Sequence, residues 1–286
     1  MTLRVGWYTT GRGAGSRGMF EAVRDAIRAG TLDASFAFVF CNREPGEDAA
    51  TDAFFEIVRG AGIPLVTLSS VRFRKEHGGT RSRPGEPLPE WREAYDAEVA
   101  RLVDAHAADI GVLAGYMLIF TAPFARTHRL LNLHPALPGG PTGTWREVIR
   151  ELIRTGAHES GVMAHLAIPE VDMGPVASFC RYPIEAAPPR PGASDADLEA
   201  SPLFASIRAA GLRREATFLV AALKADGHLS AGGPVDLTEI LVCPECGSTD
   251  CEDPENHDTF VTIADYERRL AQSRQERMVG FLPSSP

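Results

Sequence analysis

No apolar run in this chain of 286 residues approaches the ~18 residues of a membrane-spanning helix, and Met1 to Thr10 is too short and too strand-like for a signal peptide. Positive charge is in deficit. Lys and Arg number 29 against 38 Asp and Glu, a net charge of −9. That balance argues against nucleic-acid or anionic-membrane binding as a general property and leaves room for local basic clusters. A soluble cytoplasmic protein is the expectation. Cysteine is sparse: there are five, and Cys41 and Cys180 sit in apolar strand-like runs as inert core thiols. The glycine-rich stretch Gly11–Gly18 is closed by no Lys-Ser/Thr pair. No acidic residue stands out after Phe36–Cys41. Neither a P-loop nor a dinucleotide fingerprint therefore fits, and no internal repeat is present.

What the chain does contain is an alternation of apolar strand-like runs and amphipathic segments. Strands are expected at Leu3–Thr10, Phe36–Cys41, Pro64–Leu68, Ile110–Tyr116, the run up to Leu133, Gly161–Ala167 and Ala177–Ile184. Helices are expected at Met19–Ala29, Ala49–Gly60, Glu90–Ala107, Thr144–Thr155 and Phe204–Ala225. This order implies an α/β fold, a mostly parallel sheet flanked by helices, with Ile110–Tyr116 as its central strand. Two polar connections interrupt it. Val71–Pro89 carries Arg72, Arg74, Lys75, Arg81 and Arg83 and reads either as a solvated loop or as one that attracts an anion. Glu185–Ser201, rich in proline, reads as a mobile connection or lid.

Candidate chemistry gathers at strand ends. Asn132 and His134 lie two apart near the carboxyl end of a strand, so both side chains share one face. The Pro and Gly residues after them open a loop where α/β sheets collect ligands. A second run, Gly161–Val176, carries His165 and ends in a turn with Asp172. Taken singly, Asn132 is a turn former, His134 a satisfied core histidine and Asp172 a loop cap. Strand Leu3–Thr10, the glycine-rich loop and the helix start after it form either a tight turn or an anion cradle.

Together, Asn-x-His-Pro at 132–135 and His-x(6)-Asp-x-Gly-Pro at 165–175 resemble the folate-dependent formyltransferase family, over roughly residues 2 to 230. The resemblance implies a Rossmann-like formyltransferase fold and formyl transfer from 10-formyltetrahydrofolate. Asn132 would donate to the formyl oxygen, His134 would act as acid/base or electrophile, Asp172 would orient His134 and help carry the proton, and His165 would support them with a hydrogen bond. Ala114–Leu118 is similar to the segment that lines the pterin pocket, which extends the donor site over Tyr116, Met117, Leu118 and Ile119 and, through the loop from Ile168 to Met173, over Ile168 and Glu170.

The closest resemblance is to members acting on glycinamide ribonucleotide in purine synthesis. Gly11, Arg12 and Gly13 match the start of their phosphate loop, with Ala14 to Gly18 as an insertion. Arg92, within Trp91–Asp96, inherits a phosphate contact. Glu215 matches a glutamate that holds ribose hydroxyls, while Leu212 stands where a basic residue is expected. Trp145 follows a shortened loop, so the acceptor side differs.

An amino sugar nucleotide or another small amine is the alternative acceptor, and hydrolysis of formylfolate the alternative reaction. The hydrolase reading is weakened by the expected lack of an N-terminal regulatory domain. A degenerate folate-binding module is the reading without catalysis. The partner expected is a phosphorylated small molecule, with no nucleic acid and no membrane. The oligomeric state stays open, a homodimer included.

Residues 231–286 fall outside the resemblance and read as a small C-terminal extension, separate from a catalytic domain at 1–230. Leu237–Val242 would be an edge strand and Asp265–Arg277 a charged helix. Cys243 and Cys246 form a Cys-x-x-Cys turn that Cys251 and His257 complete as a structural zinc site; free thiols or a redox pair are the alternatives.

Overall fold

The structure is a computed structural model. It describes residues 2–82, 86–184, 189, 190, 192–225, 233–242, 260–263, 266, 268 and 269. Arg83, the four residues Cys243, Cys246, Cys251 and His257, and the helix expected at Asp265–Arg277, apart from isolated positions, lie outside that set. The elements in order are β1 (Leu3–Thr9), α1 (Ala14–Arg28), β2 (Ala34–Cys41), α2 (Ala49–Gly60), β3 (Leu65–Thr67), α3 (Ser70–Glu76), α4 (Trp91–Val103) and β4 (Ile110–Leu113). They continue with α5 (Ala122–Thr127), β5 (Leu130–His134), α6 (Trp145–Thr155), β6 (Glu159–Leu166), β7 (Val176–Pro183), α7 (Asp195–Glu199), α8 (Pro202–Ala225), β8 (Val235–Asp236), β9 (Leu241–Val242) and β10 (Val261–Thr262).

One sheet of eight strands runs in the order β3-β2-β1-β4-β5-β6-β7-β8. The strands from β3 to β5 are parallel; β6 is antiparallel to both β5 and β7, and β8 runs parallel to β7. The period-2 pattern of the strands divides the core. Val5, Trp7, Val39 and Cys41 face a cluster with Phe20 of α1, Phe55 of α2, Val148 of α6 and Phe218 of α8. Tyr8, Phe38 and Phe40 face the opposite side, against Tyr95 of α4 and Phe124 of α5. Cys41 and Cys180 are free and buried, and burial pushes both thiols up to about 12, so they are inert at neutral pH.

Several expectations change. The central strand β4 ends at Leu113 because Gly115 turns out with φ +68°, where a Cβ would stand 2.7 Å from that of Ser16. The glycine run does not stay a loop: α1 starts at Ala14 behind an N-cap at Gly13, so Gly15 and Gly18 lie in the helix. Gly15 falls among the first N–H groups of the helix, which have no intrahelical partner, whereas Gly18 lies past them. Part of the basic connection is helical, α3, capped by the Ser69 hydroxyl accepting from Arg72 N–H. In the expected lid, α7 begins with a Ser194/Asp197 capping box and is tied to α6 through Arg146 and Arg150 on Glu199, 2.5 Å each, and Arg154 on Asp195. Beyond residue 230, Leu237, Leu241 and Phe260 belong to the main core. The edge strand is β8 at Val235–Asp236. Among the described residues no helix is long and apolar enough to cross a membrane, and no group of three or more His, Cys, Asp or Glu has a metal-holding arrangement.

Candidate functional site

Asn132 and His134 come from the last turn of pleat in β5, and the antiparallel neighbour supplies the third side chain. In the β5–β6 register Asn132 lies directly opposite His165. The register of β6 against β7 shifts between Ala164 and His165, a bulge of the kind that re-aims a side chain. The loop after β6 then folds back on itself: Leu166 N–H donates to the Pro175 carbonyl at 2.9 Å and Met173 N–H to the Glu170 carbonyl at 3.2 Å. Asp172 sits there with φ +57°, a left-handed conformation that aspartate tolerates better than most residues. Gly174 holds the turn close, since a Cβ on it would stand 1.6 Å from the Leu166 carbonyl oxygen and force a shift.

These pieces converge. Asn132 Nδ2 lies 3.0 Å from His165 Nε2 and donates to Asp172 Oδ1 at 3.4 Å. Asp172 Oδ2 accepts from Gly143 N–H at 3.0 Å and stands 3.7 Å from His134 Nδ1, while Oδ1 stands 3.6 Å from His165 Nε2. Two carbonyls set the tautomers. His165 Nδ1 is 3.1 Å from the Leu166 oxygen and His134 Nε2 is 2.8 Å from the Pro141 oxygen. A carbonyl only accepts, so those nitrogens carry hydrogen and the other ring nitrogens face Asn132 and Asp172. His165 Nε2 is then the acceptor for the Asn132 amide, which fixes which end of that amide is nitrogen. Burial works to raise the pKa of Asp172. It is outweighed by the side-chain contact with His165, the Gly143 N–H and the two imidazoles beside it, so the carboxyl is held below its ordinary value.

Apolar groups rim this polar centre. Of the six large hydrophobic side chains that stand exposed among the described residues, Met117 (65%) and Ile119 (47%) follow β4, and Val171 (46%) and Met173 (67%) flank Asp172. Exposed apolar groups on the loops after β4 and around Asp172 suit a flat heterocycle. Leu118 and Ile168 are partly buried and Glu170 is exposed on the same loops. Tyr116 instead turns its ring into the second core, stacked on Phe120 at 4.8 Å.

Arg92 does not offer its guanidinium to a ligand. It is 1% exposed, donates to the Ile119 carbonyl at 2.5 Å and stands 3.5 Å from Asp96, whose other oxygen accepts from Thr121 N–H at 2.6 Å. The phosphate contact expected of Arg92 is thus replaced by bracing of the segment 119–121, because the helix buries the side chain beneath that loop. Arg12 is likewise engaged, 3.0 Å from Asp48, the N-cap of α2. Gly11, with φ +71°, and Gly13 keep their backbone at the start of α1. Near Gly15 lie Glu215, 7% exposed, and Arg208, joined to it at 2.7 Å. Sequence reasoning missed Arg208, although it lies seven residues before Glu215 on one helical face. It also missed Gly143, a backbone donor that leaves no trace in side-chain pattern.

The formyl transferase family matches residues 13–187. Phosphoribosylglycinamide formyltransferase of Escherichia coli (strain K12) is 30% identical over 174 residues, 60% of this chain and 70% of that protein. The protein of the same name from Dictyostelium discoideum is 28% identical over 194 residues, 64% of this chain and 85% of its own. Glycinamide ribonucleotide transformylase 1 of Symbiobacterium toebii superposes with a TM-score of 0.56 at 23% identity, covering 82% of this chain and 93% of the other, a likeness of fold. With more than half its length matched, this formyl-transferring enzyme belongs to the formyl transferase family.

Proposed function

We propose that the chain transfers the formyl group of 10-formyltetrahydrofolate to the primary amine of glycinamide ribonucleotide, a step of purine synthesis. The observation that carries this reading is the meeting of Asn132, His134 and Asp172 around one point at the strand ends, beside an exposed apolar rim. The rim fits a pterin: Met117, Leu118, Ile119, Val171 and Met173 would hold its faces, and backbone groups of the loops Ala114–Ile119 and Ile168–Met173 its polar edge. The donor supplies an activated formyl carbon; the rest of the chemistry falls to the chain.

Asn132 donates through Nδ2 to the formyl oxygen as negative charge builds there, exchanging its long 3.4 Å bond to Asp172 for a shorter one. His165 keeps that amide from flipping. His134 presents Nδ1 toward the reacting atoms with its far side anchored on Pro141, and Asp172, ionised, stabilises the imidazolium and takes part in moving the proton from the attacking amine to the leaving nitrogen. Glycinamide ribonucleotide as acceptor is supported by Glu215 and the glycine-rich start of α1, together with the relatives' substrate. The test is incubation with 10-formyltetrahydrofolate, with and without the ribonucleotide. Amine-dependent loss of the formyl group is expected. Amine-independent turnover would replace transfer with hydrolysis, and donor binding without turnover would leave a folate-binding module.

A further inference from the structure

Thr144 and Glu147 close a capping box at the start of α6, in which Glu147 Oε2 accepts from Thr144 N–H at 2.7 Å. Trp145 is the first residue of that helix, and Gly143 stands just before the cap with φ +102°. The cap thus ties Trp145 to Gly143 across a single residue. Two groups of the same short segment touch the reacting side chains: the Pro141 carbonyl lies 2.8 Å from His134 Nε2, and Gly143 N–H donates to Asp172 Oδ2 at 3.0 Å. Resting on the roles given to His134 and Asp172 above, we propose that Trp145 is a positioning residue for formyl transfer, a peg set against α8 that fixes the segment holding both of them.

The segment needs such a peg because its own backbone is permissive. Gly139, Gly140 and Gly143 are three of the five residues before Thr144, and glycine gives up more conformational freedom on ordering than any other residue. Trp145 supplies the missing anchor. Its ring is partly buried against the main core, with Phe204 of α8 at 5.8 Å between centroids. Two guanidinium carbons lie over it, that of Arg208 at 4.7 Å and that of Arg146 at 4.5 Å from the centroid. Both cations are themselves held. Arg208 donates to Glu215 at 2.7 Å, and Arg146 to Glu199 of α7 at 2.5 Å. An indole face attracts a cation more strongly than a phenyl ring does, so anchored guanidinium groups keep this ring seated between α6, α7 and α8.

What the peg controls follows from the two contacts. The Pro141 carbonyl holds the hydrogen on His134 Nε2 and so keeps Nδ1 turned to Asp172, across a gap of 3.7 Å. The Gly143 N–H is one of the groups that keep the Asp172 carboxyl below its ordinary value, alongside His165 of β6 and His134 of β5, the titratable side chains that face it. If the segment drifts, the imidazole loses its anchor and the carboxylate loses a donor, and Asp172 then titrates at higher pH. Trp145 touches neither group. It acts on both through the backbone it fixes.

The test pairs single-turnover formyl transfer, at saturating 10-formyltetrahydrofolate and glycinamide ribonucleotide, with titration of the Asp172 carboxyl followed by carbon NMR, which needs no turnover. Trp145→Ala is expected to slow the single turnover by about 10- to 100-fold, since ~1 Å of misplacement costs up to about 10²-fold, with smaller changes in the KM of either substrate. The Asp172 titration and the acid limb of the rate profile should both move to higher pH. Trp145→Phe keeps a ring beneath the guanidinium groups and should restore most of the rate. Trp145→Leu keeps bulk without a π face, should resemble the alanine variant, and serves if that variant fails to fold. In an Asp172→Asn background the loss from Trp145→Ala should shrink severalfold, because the segment no longer acts on a charged group. An undiminished loss in that background, an Asp172 titration that stays in place in Trp145→Ala and Trp145→Leu, or an unchanged rate overturns the proposal. Formyl transfer with rate and titration both unmoved in Trp145→Ala sinks the Trp145 assignment alone. A moved titration in a chain whose wild type transfers no formyl group sinks the transfer reading alone.

Discussion

Asp96 on α4 and Asp172 in the loop before β7 are both carboxylates largely withdrawn from water. Burial raises Asp96 above the ordinary carboxylate value against the opposing charge of Arg92 and the Thr121 N–H. In Asp172 burial is outweighed, and the group is held low. The difference lies in the neighbours. Asp172 has an amide N–H from Gly143, the Asn132 amide and two imidazoles around it. Asp96 Oδ1 has no hydrogen-bond partner, and the nearest Arg92 nitrogen stands at 3.5 Å. A carboxylate kept ionised by several donors can take part in proton traffic, whereas one that is under-satisfied serves to brace a wall.

Asp172→Asn gives the largest break in this comparison. With the charge removed and the shape kept, kcat is expected to fall about 10²- to 10⁴-fold, measured by single turnover at saturating donor. The acid side follows from the lowered pKa. The stability that Asp172 contributes is present above its unfolded-state pKa and is lost as pH falls through the lower folded-state value. Acid unfolding followed by circular dichroism should therefore be less steep in Asp172→Asn than in the wild type.

Arg92→Met sharpens the other half. It leaves Asp96 buried and unpaired, at a cost of about 3–5 kcal/mol in denaturant titrations. Because the folded pKa of Asp96 is raised, that cost shrinks as pH falls through the folded value, opposite in sign to the Asp172 contribution. A stability loss independent of pH would break the comparison. The smallest effect is expected from Gly174→Ala. Its Cβ would meet the Leu166 carbonyl, and a forced shift of the turn should lower stability by about 1–3 kcal/mol and displace Asp172, read as a drop in kcat larger than any change in donor KM.

Much of this was legible because it rests on local pattern. Asn132 and His134 share a face by strand period, α2 and α6 follow from apolar spacing, and α6 carries its own capping box at Thr144 and Glu147. Arg92 was misread because Trp91–Asp96 identifies a helix start and not which side of it a loop will cover. α3 escaped because its charged surface hides the one ring that packs, Phe73 on Tyr95 at 5.3 Å. Arg208 escaped because its contact with Glu215 spans two turns of α8, a pairing that only the folded side chains reveal.

The order of residues by itself determined the alternating layers, the strand ends that carry polar groups and the family pattern, since each depends on neighbours within a few positions. Which histidine meets Asn132, which arginine is buried and which carboxylate stays charged were decided by the antiparallel turn of β6, the cover of segment 119–121 over α4 and the packing of α8 on α1. Those contacts join residues 27 to about 200 positions apart, and their energies depend on desolvation and partner geometry that exist only once the chain has closed on itself.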